Sequence, residues 1–244
     1  MKGVIVIFDT FLNSFYKNFI AESRYLLYLD GLKVTILLSL SSIALGIVLG
    51  LFASYLRRST ALINSRFWFL RVIGRILRAV GYVYVDVIRA TPTMVQLMII
   101  TYVVFATSSV SKFFIAFIAF GINSGAYISE IFRAGLDSID KGQTEAGRSL
   151  GLSSSQTMMR IVLPQAVRNI LPALANEFIM LIKETAIVGL IALDDLTRAS
   201  EIVRSITFAP YAPILIIAAM YYIVVKALTL CLGKFERWLK KSDH

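Results

Sequence analysis

The stretch VTILLSLSSIALGIVLGLFASYL, residues 34–56, contains no charged side chain. A helix of that length is about 35 Å long at 1.5 Å per residue, enough to cross a hydrocarbon core about 30 Å thick. Lipid offers no water to bond backbone N–H and C=O groups, so a segment that crosses it has to satisfy them within itself. The stretch therefore predicts a transmembrane α-helix.

Four further apolar segments follow it along the chain. Three of them carry no charge, namely 90–111, 113–129 and 205–225. The remaining one, 169–193, is apolar apart from Glu177, Lys183 and Glu184. All are longer than the roughly ten residues of a barrel strand. We therefore predict an all-α membrane protein whose five spans lie at about 34–56, 86–108, 113–134, 169–193 and 207–232.

The composition agrees with a membrane domain. Of the 244 residues, 57% are hydrophobic and only 16% are charged, against about 25% charged in an average soluble domain. The net charge of +10 could indicate a nucleic-acid partner, but Lys and Arg lie in short segments between apolar runs. A single cysteine, Cys231, and a single histidine, His244, argue against a disulfide, a zinc site or a nucleophile pair. We expect no catalytic residue, no metal site and no nucleic-acid partner.

Basic residues are unevenly divided between alternate connecting segments. Those that follow the first run, follow the third run or lie in the C-terminal tail are Arg57, Arg58, Arg66, Arg71, Arg75, Arg78, Arg133, Lys141, Arg148, Arg160, Arg168, Lys234, Arg237, Lys240 and Lys241. Segments rich in Lys and Arg stay in the cytoplasm. This predicts an N-terminus outside the membrane and a C-terminus in the cytoplasm.

Residues 1–30 differ from the rest because their apolar side chains alternate with charges such as Lys17 and Arg24. This mixture predicts a helix lying in the outer membrane interface, and an extension of the first span is the alternative. Residues 31–240 are predicted to form one transmembrane domain.

Two pairs of glycines have the spacing that allows helices to approach closely. They are Gly46 with Gly50 in the first predicted span and Gly121 with Gly125 in the third. Each pair is a GxxxG motif. A role in lipid-facing surfaces or helix kinks is the alternative to close packing.

Residues 140–168, between the third and fourth predicted spans, are too polar for lipid and regularly patterned. A short helix over 143–150 would end at Gly151, the residue best able to take a left-handed C-cap. Residues 153–156 have a capping-box pattern that begins a second short helix, which Pro164 should end or bend. A rigid hairpin on the cytoplasmic side predicts docking to a soluble partner. An ordinary structured loop is the alternative.

The same loop resembles a motif of a known family. Glu145-Ala146-Gly147, then Gly151, then Ile161-Val162-Leu163-Pro164 resemble the EAA loop of binding-protein-dependent ABC importer permeases. In that family the loop inserts into a cleft of the ATPase subunit. The resemblance implies an ATPase-coupling role for Glu145, Ala146, Gly147, Gly151, Leu163 and Pro164. Gly147 replaces the usual second alanine, at a cost of about 1 kcal/mol in helix propensity.

Other stretches resemble the branch of that family that transports histidine, glutamine or arginine. They are Arg89-Ala90-Thr91-Pro92 with Val95-Gln96, Asn123 to Tyr127 with Glu130 to Arg133, Lys141-Gly142-Gln143, and Lys183-Glu184-Thr185-Ala186. Together with the loop they cover most of residues 30–240. The resemblance implies the type I ABC importer fold in a bacterial inner membrane, with five spans, cytoplasmic coupling helices and permeases that pair as homodimers or heterodimers.

Polar residues within the predicted spans are candidates for a substrate path, because ionisable groups in lipid usually face a partner or a cavity. Glu177 would lie roughly 13 Å into the fourth span, near the midplane. The candidates are Gln96, Asn123, Tyr127, Glu130, Asn176 and Glu177. Hydrogen bonds between helices are the alternative role for these side chains. We interpret Arg89 and Asp86 as structural charges at a membrane end, held by pairing or by snorkelling.

The resemblance implies a permease subunit that passes a polar amino acid, and glutamates near the midplane favour a cationic one. The chain has no G-x-x-x-x-G-K-[ST] motif, so we expect no cofactor here and place ATP and Mg²⁺ on a partner. The expected partners are an ABC ATPase dimer, a second permease copy or paralogue, an extracytoplasmic amino-acid-binding protein and membrane lipid. A membrane enzyme and a channel or scaffold outside the ABC family are the alternatives.

Overall fold

The structure, a computed structural model, describes residues 12–58 and 63–241. Regular structure in these ranges is helical, and its helices are α1 (Tyr25–Arg58), α2 (Trp68–Ala90), α3 (Thr93–Ile99), α4 (Lys112–Asp137), α5 (Lys141–Ser149), α6 (Ser154–Thr157), α7 (Leu163–Glu184), α8 (Leu196–Thr207) and α9 (Ala212–Lys241). Short π or 3₁₀ segments are Tyr16–Ile20, Ala21–Ser23, Ile100–Val104, Met158–Val162 and Thr185–Ile191. The predicted all-α class is confirmed.

Three of these helices, α1, α4 and α9, are long and apolar enough to cross a membrane. α2 and α3 form a fourth candidate only as a pair, because they meet at a bend of 111°. Residues 86–108, expected as one span, are therefore broken. Thr91 and Pro92 both adopt extended backbone conformations at the break, as expected where a proline disfavours helical geometry in the residue before it.

Residues 169–193, also expected as one span, divide between two kinds of helix. α7 ends at Glu184, and a 3₁₀ segment, Thr185–Ile191, continues to Ala192 in the left-handed conformation. α7 is not among the helices that qualify as spans by length and apolarity, because its charged residues and asparagines lower its hydropathy. In the described ranges these criteria support three spans, or four with the bent pair.

The main core lies where α1, α3, α4, α7 and the 3₁₀ segment after α7 meet. Its buried apolar side chains are Leu38, Leu97, Ala116, Ala119, Phe120, Leu181, Val188 and Ile191. Among the substrate-path candidates, Gln96 is adjacent in sequence to Leu97 of this cluster, and Asn123 lies one helical turn from Phe120. Packing in this core therefore determines where those side chains are held.

α1 and α4 pack closely along their length, and the two GxxxG motifs face each other at this contact. A Cβ atom added at Gly50 would lie 2.6 Å from Cγ2 of Ile128. One added at Gly125 would lie 2.9 Å from Cβ of Leu49 and 2.6 Å from the hydroxyl of Tyr84. The prediction of close backbone approach at these glycines is confirmed.

We expect Gly50→Ala to destabilise the protein, although alanine favours a helix by about 1 kcal/mol over glycine. The added methyl group would overlap Ile128, and overpacking of this kind costs about 1–3 kcal/mol. Gly233→Ala is the matched control, since no atom lies within 4 Å of a Cβ placed there. Thermal unfolding in detergent should show a lower midpoint for the first variant only, and equal midpoints would contradict the packing argument.

The described part of the N-terminal segment lies against the end of α8 rather than apart from the helical domain. Asn18 is fully buried, and its Oδ1 accepts a hydrogen bond from the Thr207 hydroxyl at 2.6 Å. Lys17 donates to the Thr207 carbonyl at 3.2 Å, and the ring of Phe19 lies 5.7 Å from that of Tyr28. Residues 1–11 of the predicted interfacial segment lie outside the described residues.

Candidate functional site

The hairpin of α5 and α6, which lies in the loop predicted to be cytoplasmic, begins with a capped helix. The Asp140 side chain accepts a hydrogen bond from the backbone N–H of Gly142 at 2.7 Å, which satisfies one of the free donors at the start of α5. Glu145 and Ala146 are exposed on this helix. The predicted short helix is confirmed, with bounds Lys141–Ser149.

α5 ends in a Schellman motif built on Gly151. This residue has a φ of +81°, a conformation that glycine adopts without steric cost. The N–H of Leu152 donates to the Gly147 carbonyl at 3.1 Å, and the N–H of Gly151 donates to the Arg148 carbonyl at 3.0 Å. The turn holds the Leu150 side chain 82% exposed at the tip of the hairpin.

The second arm of the hairpin starts with the predicted capping box. The backbone N–H of Gln156 donates to the Ser153 hydroxyl at 3.3 Å, and the N–H of Ser153 donates to the Gln156 side chain at 2.8 Å. The expectation that Pro164 ends or bends this arm needs correction in detail. Helical structure continues through the π segment Met158–Val162 into α7, and Pro164 occupies the first turn of α7 without ending the helix.

Gly147 is the buried residue of α5 and contacts the second arm. A Cβ atom in its place would lie 2.8 Å from Cγ2 of Thr157 and 2.9 Å from Cδ1 of Ile161. The glycine, which departs from the family pattern, therefore allows the two arms to touch. Together with the caps, this contact makes the hairpin a rigid projection, whose arm leads directly into α7 through Leu163.

Gln96 lies at the break between α2 and α3 and bonds the carbonyls that the break leaves free. Its Nε2 lies 2.7 Å from the Ile88 carbonyl, 3.0 Å from the Thr91 carbonyl and 2.7 Å from the Thr91 hydroxyl. Its Oε1 accepts from Nδ2 of Asn123 at 2.9 Å. Both ends of this amide are thus occupied, which agrees with a structural role at the bend.

Glu177 on α7 contacts the neighbouring face of α4. The Ser124 hydroxyl donates to its Oε1 at 2.9 Å. Asn176 is exposed and its side chain lies apart from this contact. Asn123, Ser124, Tyr127 and Glu130 thus lie along successive turns of α4, and Glu177 joins them through its hydrogen bond with Ser124. Asn176 does not join this group.

Glu130 is the centre of an arginine cluster. Its Oε1 lies 2.5 Å from Nη1 of Arg57 on α1, and its Oε2 lies 2.9 Å from Nη2 of Arg133. Arg89 also reaches it, at 3.7 Å, and lies 5.6 Å above the Tyr127 ring. Among the described residues, the ion-pair partner recorded for Arg89 is therefore Glu130 and not Asp86. The two are close in sequence, but the long arginine side chain extends from α2 to α4 instead.

The profile of a known family matches residues 46–241, and its description is "binding-protein-dependent transport system inner membrane component". The match covers all of the helices from the middle of α1 onward, including the hairpin.

Curated relatives match over most of the chain. The chain is 36% identical over 217 residues to the arginine transport system permease protein ArtQ of Bacillus subtilis, covering 88% of this chain and 93% of that one. It is 38% identical over 204 residues to a putative glutamine transport system permease protein of Rickettsia typhi, covering 83% and 88%. A crystal structure of an amino acid ABC transporter with histidines has a chain that is 37% identical, with a TM-score of 0.80 and coverage of 90% and 97%.

Proposed function

The chain belongs to the binding-protein-dependent transport system inner membrane components, the permease subunits of ABC importers, and on this premise we propose that it passes a polar amino acid of the glutamine or arginine type. It is a multi-pass component of the inner membrane and not itself an ATPase. Relatives named for glutamine and arginine transport support the substrate class.

The observation that carries the proposal is the rigid cytoplasmic hairpin. Its exposed residues Glu145 and Leu150 form the surface that would contact the ATPase. The packed arm then transmits movement of that surface to α7, which holds Glu177. A channel or scaffold would need no such lever, and a membrane enzyme built on cysteine or histidine would have only Cys231 and His244 to use.

Membership implies ATPase and binding-protein partners. We further propose that two ATPase subunits hold ATP and Mg²⁺, that a second permease copy or paralogue completes the path, and that this chain binds no cofactor. Five crossings with the C-terminus in the cytoplasm are part of the proposal. They require the bent pair α2 and α3 to act as one crossing and the more polar α7 as another, each shielded from lipid by neighbours.

Co-purification with uptake measurements tests the function. A tag on this chain should recover a separate ATPase polypeptide, and proteoliposomes containing both should accumulate radiolabelled glutamine or arginine only with binding protein and ATP. Recovery of a lone oligomer that conducts without ATP would favour the channel alternative. Competition with a panel of unlabelled amino acids would then identify the substrate.

We expect Glu177→Gln to lower uptake of a cationic amino acid at least tenfold and to affect a neutral one less. The substitution keeps the size of the side chain and its ability to accept from Ser124, but it removes the charge that would face a substrate cation. The measurement is initial uptake of arginine and of glutamine by the same proteoliposomes. Equal rates for variant and wild type would remove Glu177 from the substrate path.

A further inference from the structure

The first half of α2 carries its basic and its exposed apolar side chains on different faces. Arg71, Arg75 and Arg78 follow one another at intervals of four and three residues, so they share one face of the helix. The exposed apolar side chains are centred about 150° away around the helix axis, at 3.6 residues per turn. They are Phe69, Val72, Ile73, Ile76 and Val80. This part of α2 is therefore amphipathic, with a cationic side and an apolar side.

This amphipathic stretch ends where α2 crosses the end of α1. A Cβ atom placed at Gly81 would lie 3.0 Å from Cγ of Arg57 and 3.4 Å from Cβ of Leu56, and α1 ends at Arg58. The uncharged run of α1 stops at Leu56, so the crossing lies beside the last residues that suit hydrocarbon. The topology proposed above puts this end of α1 on the cytoplasmic side. Residues 68–80 thus lead up to the cytoplasmic boundary of the membrane domain.

Neither water nor hydrocarbon suits the two faces together. Trp68 is 71% exposed and Ile76 is 56% exposed, and large apolar side chains such as these are disfavoured in water. Arg71 and Arg75 are exposed as well, and an arginine is disfavoured in hydrocarbon. A helix in the membrane interface satisfies both requirements, because its apolar face enters the acyl chains while its basic face stays at the level of the headgroups.

The basic face has no acidic neighbours along the helix. Residues 59–85 contain no Asp or Glu, and within the described part of the chain neither Arg71 nor Arg75 takes part in an ion pair. Orientation in the membrane depends on the number of arginines in this connection, so it does not explain why they share one face. A protein partner that buried these guanidinium groups would have to supply carboxylates to pair with them. The cytoplasmic leaflet supplies negative charge directly, since it contains anionic lipids.

We propose that residues 68–80 lie in the cytoplasmic interface and that Arg71 and Arg75 bind the phosphate of an anionic phospholipid. The two arginines are one helical turn apart, so their Cβ atoms lie about 5–6 Å from each other and both can reach one headgroup. Guanidinium groups donate pairs of hydrogen bonds to phosphate oxygens. The inference goes beyond the transport function, because it holds whichever amino acid is carried.

Trp68, at the start of this stretch, can report on the lipid beside it. The chain has two tryptophans, and Trp238→Phe leaves Trp68 as the single one. This parent variant is reconstituted into phosphatidylcholine vesicles in which part of the lipid is replaced by phosphatidylglycerol or phosphatidylcholine with brominated acyl chains. Bromine quenches tryptophan fluorescence at short range, so quenching against mole fraction gives the relative affinity of each lipid. Each arginine near an anionic surface contributes about a fivefold preference, so we expect phosphatidylglycerol to bind about 25-fold more tightly at low salt.

Arg71→Gln combined with Arg75→Gln should bring the two lipids within about twofold of each other, while brominated phosphatidylcholine still quenches Trp68. Arg160→Gln is the matched control and should keep the preference, because Arg160 is an exposed arginine on the second arm of the hairpin. Equal affinity for the two lipids in the parent variant would overturn the proposal, as would an unchanged preference in the double variant. Fluorescence that neither lipid quenches would mean that water or a protein surface covers this face, and it would overturn the proposal too.

Discussion

Removing residues 143–150 is expected to abolish the stimulation of ATP hydrolysis by loaded binding protein and to leave membrane insertion intact. These residues include the exposed surface of α5 and the apolar tip of the hairpin, so the ATPase would lose the surface it contacts. The spans would keep their own hydrophobic segments, which govern insertion. ATP hydrolysis in proteoliposomes and recovery of the variant in washed membranes are the two measurements.

A single substitution at the tip separates loss of contact from loss of fold. Leu150 is 82% exposed, and burying a leucine side chain contributes about 1.5–3 kcal/mol. Leu150→Asp should therefore weaken capture of the ATPase about tenfold or more, while Leu150→Met should retain it. If the deletion or the Asp variant hydrolyses ATP with full stimulation, the hairpin is not the coupling element.

The hairpin and the long helices could be predicted from the sequence because their signals are local. Gly151 and the capping box act within a few residues of themselves, and the uncharged run at 34–56 needs only length and composition to predict a span. The same signal does not locate the start of the helix itself, since α1 begins at Tyr25, before the uncharged run.

The interior site was less predictable because its contacts join segments far apart in sequence. Counting charges made 86–108 a single span, although Thr91-Pro92 contained a local signal for the break. The partner of Glu177, Ser124, lies 53 positions away, and nothing in the spacing indicates that contact. Arg89 was assigned to a sequence neighbour for the same reason, since its contacts on α4 depend on how α2 crosses that helix.

The break between α2 and α3 depends on one amide side chain. Helix ends inside a membrane leave carbonyl groups that water cannot bond, and each unpaired group costs about 1–3 kcal/mol. Gln96 bonds the carbonyls of Ile88 and Thr91 and accepts from Asn123. Gln96 is 8% exposed and Asn123 2%, while Ile88 is half-buried and Thr91 is exposed, so removal of the amide would deprive the buried Asn123 side chain and the half-buried Ile88 carbonyl of this partner.

Gln96→Leu, which keeps the side-chain size but removes the amide, is therefore expected to lower the stability of the folded protein by about 2–4 kcal/mol and to reduce transport with it. Thr229→Val is the control, because the Thr229 hydroxyl donates to the carbonyl of Val225 within an unbroken, exposed helix and its loss should cost less than about 0.5 kcal/mol. Chemical denaturation of the two variants in the same detergent measures the difference. Equal stability would mean that other groups, not Gln96, satisfy the carbonyls at the bend.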